Sequence, residues 1–253
     1  MLDHALNGAV IVARKEIRDH LRDTRSLVSS GFYALMGPLV VGMVSIAVRG
    51  EKSSAVLLSM MSLFALVATF VGGMNVAIDA IAGERERRSL LPLLMNPLRR
   101  GDVIVGKWMA ISAFGLAGLA VTLVGFSLTL ALSPKLMIAA GVALVPLVLF
   151  AAALELLIST WCRTTKEAHT YLSLVIFLPM GIGMFLIFFP HAASAWFWFP
   201  VAGQQLLMDL LIQGSPVPLL SAGAIGFISL ACAAGILSAA GKLLQQDEFV
   251  YGG

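Results

Sequence analysis

Residues 83–108 read GERERRSLLPLLMNPLRRGDVIVGKW. The stretch gathers six basic and three acidic side chains, in a chain of 253 residues that is only 12% charged. Long apolar runs flank it on both sides. Its charge keeps two hydrophobic segments from merging and marks where the chain leaves the apolar phase. At its centre Leu90, Leu91, Leu93 and Leu94 fall at helical spacing. Ser89 suits a cap and Pro92 a first turn, and Pro97 ends the run by disfavouring helical geometry in the residue before it. The spacing predicts a very short helix held between charged arms. Four leucines need a surface to bury against, either lipid headgroups or a partner protein. The arms suit a rim of ion pairs around such a contact. A plain basic anchor at the membrane face is the other reading.

Outside this stretch the chain is overwhelmingly apolar. It is 59% hydrophobic, with a mean hydropathy of +0.93. Soluble domains sit near 45–50% apolar and about 25% charged, so the composition specifies an integral membrane protein. The net charge of +3 fits basic loops on one membrane face and calls for no nucleic acid. Cys162 and Cys232 show no metal or redox spacing and read as small buried side chains. The first 26 residues are polar, without the apolar core and cleavage site of a signal peptide.

A crossing takes roughly 20 apolar residues in helix. Six runs qualify, at 27–48, 54–82, 103–132, 136–161, 169–189 and 217–241. Backbone groups in lipid must be satisfied within the segment, so each is a helix; the ten-residue alternation of a barrel is missing. The fold class is an all-α integral membrane protein, one domain over 1–253. Pro134, in the polar turn Ser133–Lys135, suits the start of a helix. The connection 190–215 contains WFWFP and GQQLLMDLLIQG. Its pieces are too short to cross, and its tryptophans and prolines suggest a re-entrant or interfacial pair of short helices on the outer side.

Fourteen Lys and Arg fall on the side of the N-terminus and the quoted loop, against three on the other. The positive-inside rule therefore places both termini and residues 83–102 in the cytoplasm. The segment 1–26 is amphipathic. Val10, Ala13, Ile17, Leu21 and Thr24 form its apolar stripe, while Arg14, Lys15, Glu16, Arg18, Asp19, Arg22 and Asp23 fill the rest. Such a helix lies along the inner membrane surface; a solvated charged helix without membrane contact is the other reading.

The quoted loop resembles that of ABC-2 type transporter permeases, which runs Gly-Glu-x-Glu-x-Gly-Thr-Leu-Glu-x-Leu-Leu, then Pro, a basic residue and Gly-Lys. Gly83, Glu84, Glu86, Leu90, Leu93, Leu94, Pro97, Arg100, Gly106 and Lys107 match, and Ser89 stands at the Thr position. RKEIRDHLRDTRSL, FPVAGQQLLMDLLIQG and KLLQQDEFV are similar to stretches of the sodium-exporter (NatB-like) branch. Arg88 stands where the family has Gly, Leu91 where it has Glu, and the connection after the first span is short.

The resemblance implies a prokaryotic inner-membrane exporter subunit. In it the loop is a coupling helix that docks on a separate cytoplasmic ATPase, through Glu84, Arg85, Glu86, Arg87, Arg88, Ser89, Leu90, Leu93, Leu94, Pro97, Arg99 and Arg100. The N-terminal helix borders that interface. Two permeases and two ATPases form the working unit. ATP and magnesium are bound by the partner, since this chain has no G-x-x-x-x-G-K-[ST] loop of its own. The branch suggests Na+; a small or amphiphilic molecule is the other substrate class.

Two acids lie within apolar segments. Glu155 is eight residues, or about 12 Å of helix, from Arg163. A charge near mid-span costs about 2.5–3.5 kcal/mol on insertion scales, so it does not face lipid. It is either a cation site, proton site or gate, or a neutralised carboxyl joining helices. Asp79 sits near the inner headgroups, hydrated or Arg-paired, and Asn75 is one turn away. These three residues are the candidates for a pathway or gate. No metal-ligand or nucleophile motif is present, so no catalytic residue is assigned. Two alternatives stand beside the permease: a free-standing secondary transporter or channel using Glu155 and Asp79, and an intramembrane enzyme. Gly115, Ala117 and Gly118 suit close helix packing.

Overall fold

The computed structural model describes residues 2–47, 51–89, 99–189 and 196–245. The short leucine helix expected over 90–98 and the tail 246–253 lie outside the described residues. Within them every regular element is helical. These are α1 (Leu2–Arg22), α2 (Thr24–Ala47), α3 (Glu51–Val71), α4 (Met74–Ile78), a π turn (Asp79–Gly83) and α5 (Glu84–Glu86). There follow α6 (Arg100–Leu130), α7 (Pro134–Trp161), α8 (Thr165–Val175), α9 (Phe177–Phe188), α10 (Ala202–Ile212) and α11 (Leu219–Leu243). Six helical stretches are long and apolar enough to cross a membrane: Thr24–Ala47, Val56–Glu86, Arg100–Leu130, Pro134–Trp161, Thr165–Leu186 and Leu219–Leu243. They coincide with the six apolar runs of the sequence.

Local chemistry explains their ends and breaks. The Ser133 hydroxyl accepts from Leu136 N at 3.3 Å, with Pro134 in the first position of α7. Pro38 inside α2 has no N–H, so its ring leaves the Ala34 carbonyl without its helical donor. Thr122 of α6 supplies one, donating to Ala34 O at 2.8 Å. In lipid that substitution matters, because no water is at hand to replace the bond. The fifth crossing breaks at Ile176 into α8 and α9. Pro179 accounts for the break, since it cannot donate to Val175 O.

The second crossing also breaks, between α3 and α4 at Gly72 and Gly73. There α6 comes against bare backbone. A Cβ on Gly72 would meet the Gly115 Cα at 3.0 Å, and one on Gly118 would meet the Gly72 Cα at 2.9 Å. This is the small-residue packing that stands in for hydrophobic collapse inside a bilayer. Ala117 takes no part and faces outward.

Two apolar clusters fill the interior. Met61, Leu66, Phe70, Phe126, Leu144 and Leu147 join α3, α6 and α7. Ile81, Ile104, Ile111 and Leu156 pack the other end, closed by Ala240 and Leu244. Leu219, Leu220 and Leu128 stand on the exposed surface, as lipid-facing residues do. Cys162 is buried as expected, but Cys232 is exposed on the outer face of α11, where lipid accepts a small thiol as readily as a core does.

Helix α1 is turned away from the sequence expectation. It buries Ala9, Val12, Ala13, Glu16 and His20, while Val10 and Leu21 are 48% and 57% exposed. The cause is its partner. It packs on α6 at Gly106, where a Cβ would come within 2.6 Å of the Ala9 carbonyl and 2.7 Å of the Val12 Cβ. Close approach selects the small residues for the contact, and the neighbouring Lys107 draws Glu16 inward.

Candidate functional site

Lys107 lies seven residues into α6 and is 0% exposed. A buried ammonium is tolerated only when paired and hydrogen-bonded. Its Nζ stands 3.0 Å from Glu16 Oε1 and 3.0 Å from Glu84 Oε1. Lys15 joins from the rim, 3.3 Å from Glu16 and 3.6 Å from Glu84. Asp19, one turn along α1, is 3.8 Å from Lys15. Burial pushes the Glu16 carboxyl up, but Lys107 and then Lys15 outweigh it and hold it below its ordinary range. Burial likewise pulls Lys15 down, and Glu16 and Glu84 more than compensate. The cluster joins three segments: α1, the first arm of the quoted loop and the base of α6.

The other charges of that arm are also used internally. Arg85 donates to Cys162 O at 2.6 Å and Thr160 O at 3.1 Å, so it caps the C-terminus of α7. Glu86 accepts from Thr165 N at 2.8 Å and Thr165 Oγ1 at 2.6 Å, at the first residue of α8. An acid at a helix N-terminus is favoured by the backbone dipoles. Arg87 lies 3.3 Å from Asp79 Oδ1, and His20 Nε2 approaches Asp79 Oδ2 at 4.0 Å. Asp79 is thus an Arg-paired acid. Burial, then the Glu167 carboxylate, push the Cys162 thiol up to about 11.

Arg88 and Ser89 end the arm. Ser89 N donates to Glu84 O at 2.8 Å and Arg88 N to Arg85 O at 3.0 Å. That pair of bonds is the Schellman closure of a helix, and Arg88 holds the left-handed position with φ 56°. On the far side of the loop Arg99 precedes α6, and Arg100 donates to Leu244 O at 3.0 Å. Arg14, Arg18, Arg22 and Asp23 are exposed on α1 and the turn after it. Leu90, Leu93, Leu94 and Pro97 lie outside the described residues.

The pathway candidates do not meet. Glu155 on α7 is 2% exposed and has no Lys or Arg within ion-pair distance among the described residues. Its Oε2 lies 3.2 Å from where a Cβ on Gly73 would stand. Asn75 turns the other way and donates to the hydroxyls of Ser29 and Ser30, at 2.9 and 3.0 Å.

Three participants escaped sequence reasoning. Lys107 was visible only as a motif match, although a lysine within an unbroken apolar run asks for an acid. His20 is part of the buried face of α1. Ser159 accepts from Ile81 N at 3.3 Å and Ala82 N at 3.2 Å, satisfying donors that the π turn displaces.

A family model described as ABC-2 family transporter protein matches residues 10–217. The chain is 35% identical over 153 residues to the ABC transporter permease protein NatB of Bacillus subtilis (strain 168), covering 54% of this chain and 39% of that protein. It is 36% identical over 118 residues to the probable ABC transporter permease protein NosY of Pseudomonas aeruginosa, covering 46% of this chain and 42% of that one. The NosY protein of Stutzerimonas stutzeri is 30% identical over 130 residues, with 47% of each covered. The chain spans less than half the length of the curated relatives it matches. A match over most of its length, six helices able to cross a membrane and the quoted loop agree: the chain is a multi-pass membrane protein and belongs to the ABC-2 family of transporter permeases.

Proposed function

We propose that this chain is the permease subunit of an ATP-driven exporter, working as a dimer with a separate cytoplasmic ATPase. One observation carries the reading. The arm leading into the leucine stretch is bonded to α1 and α6 through Glu84, to the end of α7 through Arg85, and to the start of α8 through Glu86. A push on residues 90–98 would therefore reach four helices without slack. ATP and magnesium sit on the partner. Closure of the ATPase pair tilts the spans as rigid bodies, and the pathway opens between the two permeases. Na+, as the likeness to NatB suggests, or a small amphiphile is the cargo. Both termini and the loop face the cytoplasm by the positive-inside count.

Reconstitution of the chain with an ATPase encoded beside it tests this. Charged replacement of Leu90, Leu93 and Leu94 together should abolish complex formation and transport-linked ATP hydrolysis. A complex that survives all three replacements overturns the docking role. The buried Glu155 favours one other reading, a secondary transporter; gradient-driven flux by this chain alone would establish it.

A further inference from the structure

Helices α6 and α7 part near the turn that joins them. Away from that turn they touch. A Cβ on Gly115 would come within 2.8 Å of Val148 Cγ1, and Trp108 Nε1 donates to Leu149 O at 3.0 Å. Toward the turn the lining residues include Ala120 and Gly141, and a Cβ on Gly141 would meet Leu123 Cδ1 only at 3.4 Å, an ordinary contact. A groove of about 470 Å³ opens there, walled by both helices. Leu119, Leu123 and Met137 line it and are buried, so they form its floor, while Val124 and Val142 stand exposed on its rims.

Ser127 is the one polar side chain in the lining among the described residues, and its hydroxyl already donates to Leu132 O at 3.1 Å. The groove offers no free hydrogen bond, and water gains nothing by entering such a space. Both helices cross the membrane, so hydrocarbon is what the groove meets. Its dimensions narrow the occupant. The lining runs from Leu116 to Leu128 along α6, about 18 Å of helix, against about 15 Å of hydrocarbon in one leaflet. Spread over about 18 Å, a volume of about 470 Å³ leaves a mean section of about 26 Å². A helix about 10 Å across needs roughly three times that section. A single extended hydrocarbon chain fits where a helix of a second copy does not.

We propose that this groove binds one acyl chain of a membrane phospholipid, in the leaflet remote from the Lys107 cluster. The bound chain fills the gap between α6 and α7 and holds their separation, as a side chain does in a close-packed interior. The site does not depend on the docking reading, since it lies toward the opposite end of α6 from Lys107 and the quoted loop.

The full chain in nanodiscs of phosphatidylethanolamine and phosphatidylglycerol provides the test, with a trace of phospholipid carrying a photoreactive diazirine midway along one acyl chain. Phe227 on α11 is exposed and serves as the reference for plain lipid contact. After irradiation and peptide mapping, adducts on Val124 and Val142 should exceed those on Phe227 at least fivefold. Gly141→Phe fills the groove from one wall and Ala120→Leu from the other. Either should bring Val124 and Val142 down to the level of Phe227, whose own labelling stays constant. Equal labelling of all three in the unsubstituted chain would reduce the groove to ordinary lipid-facing surface and overturn the proposal. Labelling of the groove below Phe227 would mean that a second copy covers it, and would overturn it too. So would an excess that survives both fillings. The first comparison needs no variant and decides the matter if the filled chains do not fold.

Discussion

Lys107 and Glu16 stand 3.0 Å apart although 91 residues separate them in the chain. The pair is buried on both sides, and it fastens the amphipathic N-terminal helix to the base of the third crossing. Removing one member leaves the other charged in an apolar surround, which typically costs about 3–5 kcal/mol. Lys107→Met should therefore lower the thermal midpoint in detergent, with Glu16 and Glu84 left to the half-exposed Lys15 alone. The triple variant Lys107→Met, Glu16→Gln, Glu84→Gln should recover much of the loss. A single Lys107→Met variant as stable as the parent would show that the cluster contributes nothing.

The same cluster sets a pH window. The Glu16 carboxyl is held below its ordinary range by Lys107 and Lys15 against the effect of burial. Its contribution is complete above the ordinary carboxylate value and is lost as pH falls through the lowered folded one. Lys15 is raised, so its share is complete below the ordinary lysine value and lost only as pH climbs through the folded one. Docking of α1 should be flat across neutral pH and fail below about pH 4. Protease release of the first 22 residues, followed against pH, checks this. Release that stays unchanged as pH falls through the carboxylate range would contradict the pairing.

Arg88 offers a gain. It occupies the left-handed closing position of α5, which costs a non-glycine residue about 1–2 kcal/mol. Arg88→Gly, the residue its family carries there, should raise stability by about 0.5–1 kcal/mol, less the flexibility glycine adds to the unfolded chain. Arg88→Ala should give no such gain. Thermal unfolding of both variants separates backbone strain from loss of charge.

Thr122 tests the repair at Pro38. Thr122→Val keeps the shape and removes the donor to Ala34 O, so it should destabilise by about 1–2 kcal/mol. Thr122→Ser should restore most of that. Equal stability of the valine and serine variants would mean the carbonyl is served from elsewhere.

The six crossings were legible because lipid demands long apolar runs, and Ser133 with Pro134 announced the start of α7. The same one-dimensional pattern misplaced the face of α1. Val10 and Leu21 look like its core, but the contact follows Gly106 and Lys107, which lie some ninety residues on and are invisible to local periodicity. The link from Thr122 to the carbonyl freed by Pro38 is non-local in the same way. Arg88 is a different case: its backbone strain shows in sequence only as a departure from the family's glycine. At the candidate site the motif drew attention to the charged arm, but not to its inward bonds. Alternating acid and base looks like a solvated rim until each charge is seen to meet a helix end.

The long separation between Glu16, Glu84 and Lys107 has a consequence for biogenesis. During synthesis the two acids leave the ribosome before their lysine does. Until the third crossing is inserted, α1 has no cationic anchor and the first two crossings wait beside it in the bilayer. Locking of the N-terminal helix is then a late event, and a nascent chain cut before residue 107 should leave that helix open to protease.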